Sequence, residues 1–123
     1  MLALLILLDQ FPRNAFRGTA RMYVTDPLAR HFARMAQLAG HMKAVEGDLR
    51  LFFCLPFSHS EDADDQDVSV SLNAQLGQPW LSHALAHRNI VRRFGRFPHR
   101  NALLGRATTV AEQIFLDQGG FKG

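Results

Sequence analysis

Arg96, His99, Arg100 and Asn101 crowd into one string, Phe94 to Arg106, which reads FGRFPHRNALLGR. A shorter echo, FPRNAFRG, runs from Phe11 to Gly18 and carries Arg13, Asn14 and Arg17. Each string sets Phe-Pro, basic residues and Asn before an apolar pair and Gly. Arginine offers a planar fork of donors that matches carboxylates and phosphates, so the chemistry suggested is anion recognition. Arg13, Asn14, Arg17, Arg96, Arg100 and Asn101 are the candidate ligand-binding residues. The opposing reading is structural: the arginines pair with Asp9, Glu61, Asp62 and Asp65, and each Asn caps a helix.

The histidines add proton chemistry. His59 and His99, with Glu61, could serve a general acid–base pair, and both histidines fall beside proline or helix ends where functional groups are often placed. The plainer reading ties His59 to a Ser58/Glu61 cap and packs His99 beside Pro98. His83 and His87 are spaced i, i+4, as in many zinc helices, with His59, His99 or Glu61 as a third ligand. No Glu follows His83, so H-E-x-x-H is absent, and a hydrogen-bonded core histidine is the stronger reading. No metal and no cofactor is expected. G-x-S-x-G strings and Gly-rich phosphate loops are also absent, which removes nucleophile elbows and P-loops.

The lone Cys54 excludes an internal disulfide and fits a reducing cytoplasm. It lies in the apolar run Leu51 to Leu55 and reads as a small core hydrophobe. From His83 to Arg106 there are six arginines, three histidines and no acid, whereas Glu61 to Asp67 holds five acids. The two segments are complementary, and the basic one could line a cationic groove. Arg92 to Phe97 interleaves cations and aromatics, as in single-strand nucleic-acid binders. The apolar phase of Phe94 and the neighbouring acids make nucleic acid the weaker reading.

These residues need elements to hold them. A chain of 123 residues, 47% apolar and 20% charged, is one ordinary globular domain. Met1 to Leu8 is too short to span a bilayer, lacks a basic lead-in, and reads as a core helix ending before Pro12. Asp26-Pro27 opens a helix to about Leu38, with Asp26 as its cap and Gly40 as its stop. A helix from Arg50 ends at Pro56. Ser58 and Glu61 match a capping box for a helix to Leu76. Gly77-Gln78-Pro79 breaks it. Trp80 to Phe94 is closed by Gly95, and Thr109 with Glu112 caps a last helix through Leu116. Val68 to Leu72 alternates like a strand but within a helical pattern. Residues 1–118 form the domain and 119–123 a flexible tail. The fold class is all-α, with antiparallel helical hairpins.

Helical phase places Trp80, Ala84, His87, Val91 and Phe94 on one face, so His87 sits within an apolar stripe. Glu61, Asp65, Val68, Leu72 and Leu76 share another. A buried imidazole and a buried carboxylate each need a partner, and could supply one another.

Three strings now stand in order: Leu8 to Asn14 with Arg17-Gly18; Phe52 to Glu61 with Gln66; and His87-Arg88, Arg93 to Asn101 with Gly105-Arg106. Together they resemble the bacterial domain-of-unknown-function family 924 along almost the whole chain. The resemblance implies a tetratricopeptide-like helical fold and no particular activity. No 34-residue repeat is visible in the sequence. Members of the family usually carry a further third of a domain, with tryptophan-rich apolar segments, before the Leu-Asp-Gln-Phe-Pro string. The resemblance therefore implies a short form or a late start codon, with apolar surface left for a homodimer through the N-terminal helix. The expectation is a cytoplasmic helical domain with an Arg/His-rich cleft, including His87, that binds an anionic small molecule or an acidic peptide. The alternative is a hydrolase or transferase on an anionic substrate. A membrane partner is not expected.

Overall fold

The computed structural model describes residues 1–123 and contains helices and turns without strands. Helix α1 (Leu2–Leu5) continues through a π-helical stretch (Ile6–Gln10) into α2 (Phe11–Ala15). Next come α3 (Asp26–Ala39), α4 (Leu51–Ser58), α5 (Ala63–Leu76), α6 (Trp80–Phe94), α7 (Asn101–Leu104) and α8 (Val110–Asp117). Short 3-10 turns at Ala20–Tyr23, His41–Ala44, Gly47–Arg50 and Pro98–Arg100 join them. No helix is long and apolar enough to cross a membrane.

Several boundaries agree with the sequence. Gly40 and Gly95 end α3 and α6 in the left-handed conformation, at φ 72° and 73°. Glycine adopts it without the Cβ penalty. Thr109 and Glu112 form the complete capping box at the start of α8.

Two prolines expected to stop helices do not. Pro12 opens α2 but lies inside the continuous helical segment, so its missing N–H has to be compensated. The backbone widens before it, with the Phe11 N–H donating to the Ile6 carbonyl. The Leu8 carbonyl, which proline cannot serve, accepts the Thr25 hydroxyl at 2.6 Å. Pro56 lies inside α4, and the helix runs on to Ser58 because Phe53, Cys54 and Phe57 are all buried there. Their packing outweighs one lost backbone bond.

Two caps also move. Thr25, not Asp26, precedes α3, and the buried Asp26 carboxylate is spent elsewhere. Asp62, not Ser58, caps α5 by accepting the Asp65 N–H at 3.0 Å. The inner face of α5 is Asp65, Gln66, Ser69, Leu72 and Asn73, while Val68 is exposed. This rotation puts polar side chains against the end of α4. The Gln66 amide donates to the Ser58 and Ser60 carbonyls at 2.9 and 2.7 Å, and Ser58 and Ser69 share a hydroxyl–hydroxyl bond. Carbonyls at a helix end that would otherwise be orphaned are thereby satisfied.

The main core joins Leu5, Ala33, Ala36, Met42, Phe53, Cys54, Phe57 and Leu72. A smaller one gathers Ile90, Val91 and Phe97, with Phe94 and Phe115 against it. Neighbours α4, α5 and α6 pack sequentially, and the short Gly77-Gln78-Pro79 turn makes α5 and α6 an antiparallel hairpin. Leu7 and Phe11, on the outer side of the first helical segment, remain about half exposed.

Candidate functional site

The three strings meet where the π-helical stretch, the end of α4 and the Pro98–Arg100 turn converge. Asp9 is buried, at 1% exposure, and its carboxylate bonds to three side chains. Its Oδ1 lies 2.7 Å from His59 Nδ1 and 3.3 Å from an Arg13 nitrogen. Gln10 donates to its other oxygen at 2.6 Å. Burial alone would raise the Asp9 pKa, but the His59 imidazole and the Arg13 guanidinium hold it below the usual carboxylate range. Arg13, one helical turn after Asp9, also forks onto both oxygens of Asp26, at 2.7 and 2.9 Å. Those carboxylates outweigh the cost of burial and raise its pKa.

Arg100 is in the opposite situation. It is 7% exposed, and no carboxylate pairs with it. Its Nη2 donates to the His59 carbonyl at 2.7 Å, and Nε is buried without a protein partner. The guanidinium carbon lies 4.5 Å from the centre of the Tyr23 ring and 4.8 Å from that of Phe97. Burial lowers its pKa from the usual arginine value. Cation–π contacts and the more distant Glu61 and Asp26 carboxylates offset part of that cost, and no carboxylate touches the guanidinium.

Two further imidazoles complete the wall. Nδ1 of His87 and Nδ1 of His99 are buried and have no protein hydrogen-bond partner. Burial, then neighbouring positive groups, push both pKa values down to about 4. Both rings are therefore neutral at pH 7. Phe121 packs on them, with ring centres 4.7 Å from His87 and 5.0 Å from His99. Residues 119–123, expected as a flexible tail, thus lie across the site.

These groups enclose a cavity of about 140 Å³. Arg13, Arg17, His59, His87, His99 and Arg100 line it, with Met22, Tyr23, Phe97 and Phe121 as its apolar surfaces. Arg17 is exposed and makes no ion pair. Four other candidate residues from the sequence, Asn14, Arg96, Asn101 and Glu61, are placed outside this wall. Asn14 is exposed and donates to the Gln10 carbonyl. Arg96 forks onto Glu112 at 2.8 Å to each oxygen and reaches the Ala107 carbonyl. Asn101 is fully buried between Arg106, Thr108 and Glu112.

Glu61 belongs to the same second network. It accepts the Phe97 N–H at 2.6 Å and the Arg106 fork at 2.8 and 3.1 Å. Burial would raise its pKa, but these donors outweigh it and keep Glu61 ionised. Its oxygens are occupied, so this network fixes the turn that carries His99 and Arg100. Arg88 and Arg92 reach the exposed Asp67, so the acidic and basic segments do face each other.

No three His, Cys, Asp or Glu residues are arranged to hold a metal ion. Cys54 is fully buried, and burial pushes its thiol up to about 12. At that value the reactive thiolate is scarce at neutral pH.

Sequence reasoning missed Asp9 as the partner of His59, and Tyr23, Phe97 and Phe121 as walls. Only the first had a local signal, the i, i+4 spacing of Asp9 and Arg13.

An all-α domain with a buried Asp–His pair and an unpaired arginine around one small cavity is the class of protein defined here. The sequence matches a family of bacterial proteins of unknown function, DUF924, over residues 1–120, and the chain belongs to that family. It is similar to the structure of a protein of unknown function, ATU0120, from Agrobacterium tumefaciens, with 60% identity and a TM-score of 0.94. The match covers 96% of this chain and 67% of that one. No curated protein matches the chain.

Proposed function

We propose that the protein binds a small anionic molecule, or an acidic peptide end, in the Arg100 cavity. One observation carries the proposal: a buried guanidinium with no carboxylate in contact lines a cavity together with two histidines whose Nδ1 atoms lack a protein partner. A buried cation normally has a counter-ion, and a bound anion would supply it. The α4–α6 hairpins would act as the fixed frame, in the manner of helical-repeat scaffolds.

The test is a thermal-shift titration with carboxylates and inorganic phosphate on wild type and Arg100→Met. Methionine keeps much of the packing volume and removes the charge. An anion at about 100 times its Kd is expected to stabilise the wild type by about 2.7 kcal/mol and to leave the variant unmoved. Failure of every anion to stabilise the wild type would sink the proposal.

The 2.7 Å contact between His59 and Asp9 favours a second reading, acid–base catalysis in a hydrolase or transferase. A buried carboxylate that orients an imidazole is a standard arrangement for a general base. With p-nitrophenyl acetate as a probe, His59→Gln is expected to lower hydrolysis by about 100-fold while anion binding persists. Equal rates for the two proteins would remove this reading.

A further inference from the structure

A second cavity, of about 220 Å³, adjoins the first. Leu51, Leu55, Trp80 and Ala84 supply its apolar lining. Ser58, His87 and Phe121 belong to both cavities, so one thin wall divides a cationic chamber from an apolar one. The wall is weakest at Phe121. That residue follows Gly119 and Gly120 and is held by ring contacts with His87, Phe97 and His99. Gly119 sits at φ 86°, a conformation open to glycine, and a rotation there moves the Phe121 ring.

Charge sets what the first chamber can neutralise. Asp9 and Asp26 stand against Arg13, Arg17 and Arg100. Two carboxylates against three guanidiniums leave one positive charge, and Glu61, which also acts on Arg100, is matched by its own partner Arg106. A monoanion balances it, whereas a doubly charged phosphate would reverse it. The second chamber is lined by no Asp, Glu, Lys or Arg and is mainly apolar, with Asn73 and His83 at its polar part, and so favours hydrocarbon. A cavity of about 150 Å³ lined by apolar side chains holds benzene, so the Trp80 chamber has room for a chain of several carbons.

We infer that the ligand is an amphipathic monocarboxylate, its head beside Arg100 and its hydrocarbon chain beside Trp80, with Phe121 displaced to join the chambers. This rests on the anion-binding reading above and adds the class of ligand. It also gives His87 a role: its neutral ring lies where the polar head gives way to the chain.

Trp80 is the only tryptophan in the chain, so its emission reports the second chamber without a label. The wild-type protein is titrated with propionate, butyrate, hexanoate and octanoate, with 1-octanol and with inorganic phosphate, by calorimetry and Trp80 fluorescence. Affinity is expected to rise about fourfold for each methylene that enters the chamber. Octanoate should shift the emission and propionate should not. 1-Octanol should bind at least about tenfold more weakly than octanoate, because it offers no charge to Arg100. Leu55→Phe, which fills the second chamber, should abolish the gain with chain length and leave propionate unchanged; the wild-type series decides the matter if that variant does not fold.

Equal affinity for propionate and octanoate would overturn the two-chamber ligand and leave the anion cavity standing. So would binding of phosphate with no binding of octanoate. Equal affinity for octanol and octanoate would overturn the assignment of the head to Arg100. Binding of none of them would remove both this inference and the reading it rests on.

Discussion

Replacement of Arg13 by methionine is expected to lower the unfolding free energy by about 3–5 kcal/mol. The guanidinium is the common partner of two carboxylates that are only 1% and 5% exposed, Asp9 and Asp26. Removing it leaves Asp26 with none of its fork and Asp9 with His59 and Gln10 alone. An uncompensated buried charge is far more costly than the net worth of the pair it came from. Against a total of about 5–15 kcal/mol for a small domain, the loss leaves a marginal protein. Urea unfolding followed by circular dichroism measures it. Arg17→Met, a loss of the same charge from an exposed position, should change stability by less than about 0.5 kcal/mol and serves as the control. A cost below about 1 kcal/mol for Arg13→Met would show that water, rather than protein, satisfies these carboxylates.

A steep loss of stability between pH 6.5 and pH 4 is the second large expectation. His87 and His99 have pKa values of about 4 in the folded protein, against 6.5 for a free imidazole. Across that window the unfolded chain binds two protons that the folded chain refuses. Stability therefore falls as pH drops from 6.5 and stops falling, for these two groups, below about 4. Each unit is worth 1.36 kcal/mol, so about 3 kcal/mol is the ceiling for the more buried His87, and solvent screening leaves the more exposed His99 a smaller share. A separate acid limb follows. Glu112, held at about 2 by Arg96 despite its burial, loses its contribution as pH falls from 4.5 towards 2. Urea midpoints at several pH values resolve the two limbs. His87→Gln with His99→Gln should flatten the upper limb and leave the lower one. An upper limb equally steep in wild type and double variant would rule out these histidines as its cause.

Much of the helical layout was legible because it is written locally. Gly40, Gly95 and the Thr109/Glu112 box each decide a helix end through backbone conformation or a side chain three residues away. The errors share one cause, contacts from distant parts of the chain. Thr25 repairs the bond that Pro12 cannot make, and Phe53 and Phe57 carry α4 past Pro56. Asp26 abandons capping because Arg13 claims it.

The site divides in the same way. Arg13, Arg17, His59, His87, His99 and Arg100 are drawn together from all three strings, so their residue types did mark the place. Arg96, Asn101 and Glu61 have similar chemistry but answer to Glu112 and Arg106, whose positions depend on how α8 and the Gly105–Arg106 turn fold back. No spacing rule in the strings separates the two groups. Phe121 carried no signal at all, since its ring matters only through the faces it covers.

The amide of Gln66 has a consequence for binding thermodynamics. It ties down the carbonyls of Ser58 and Ser60 from a neighbouring helix, on either side of His59. His59 and the carbonyl that receives Arg100 are thus held in place before any ligand arrives. Little conformational entropy remains to be surrendered in that segment on association, and the loss is confined to the residues around Phe121. The cavity wall is tied by side-chain hydrogen bonds on its α4 side and held only by ring contacts at Phe121. For a ligand of the proposed kind, exchange would be set at the Phe121 side and selectivity at the α4 side.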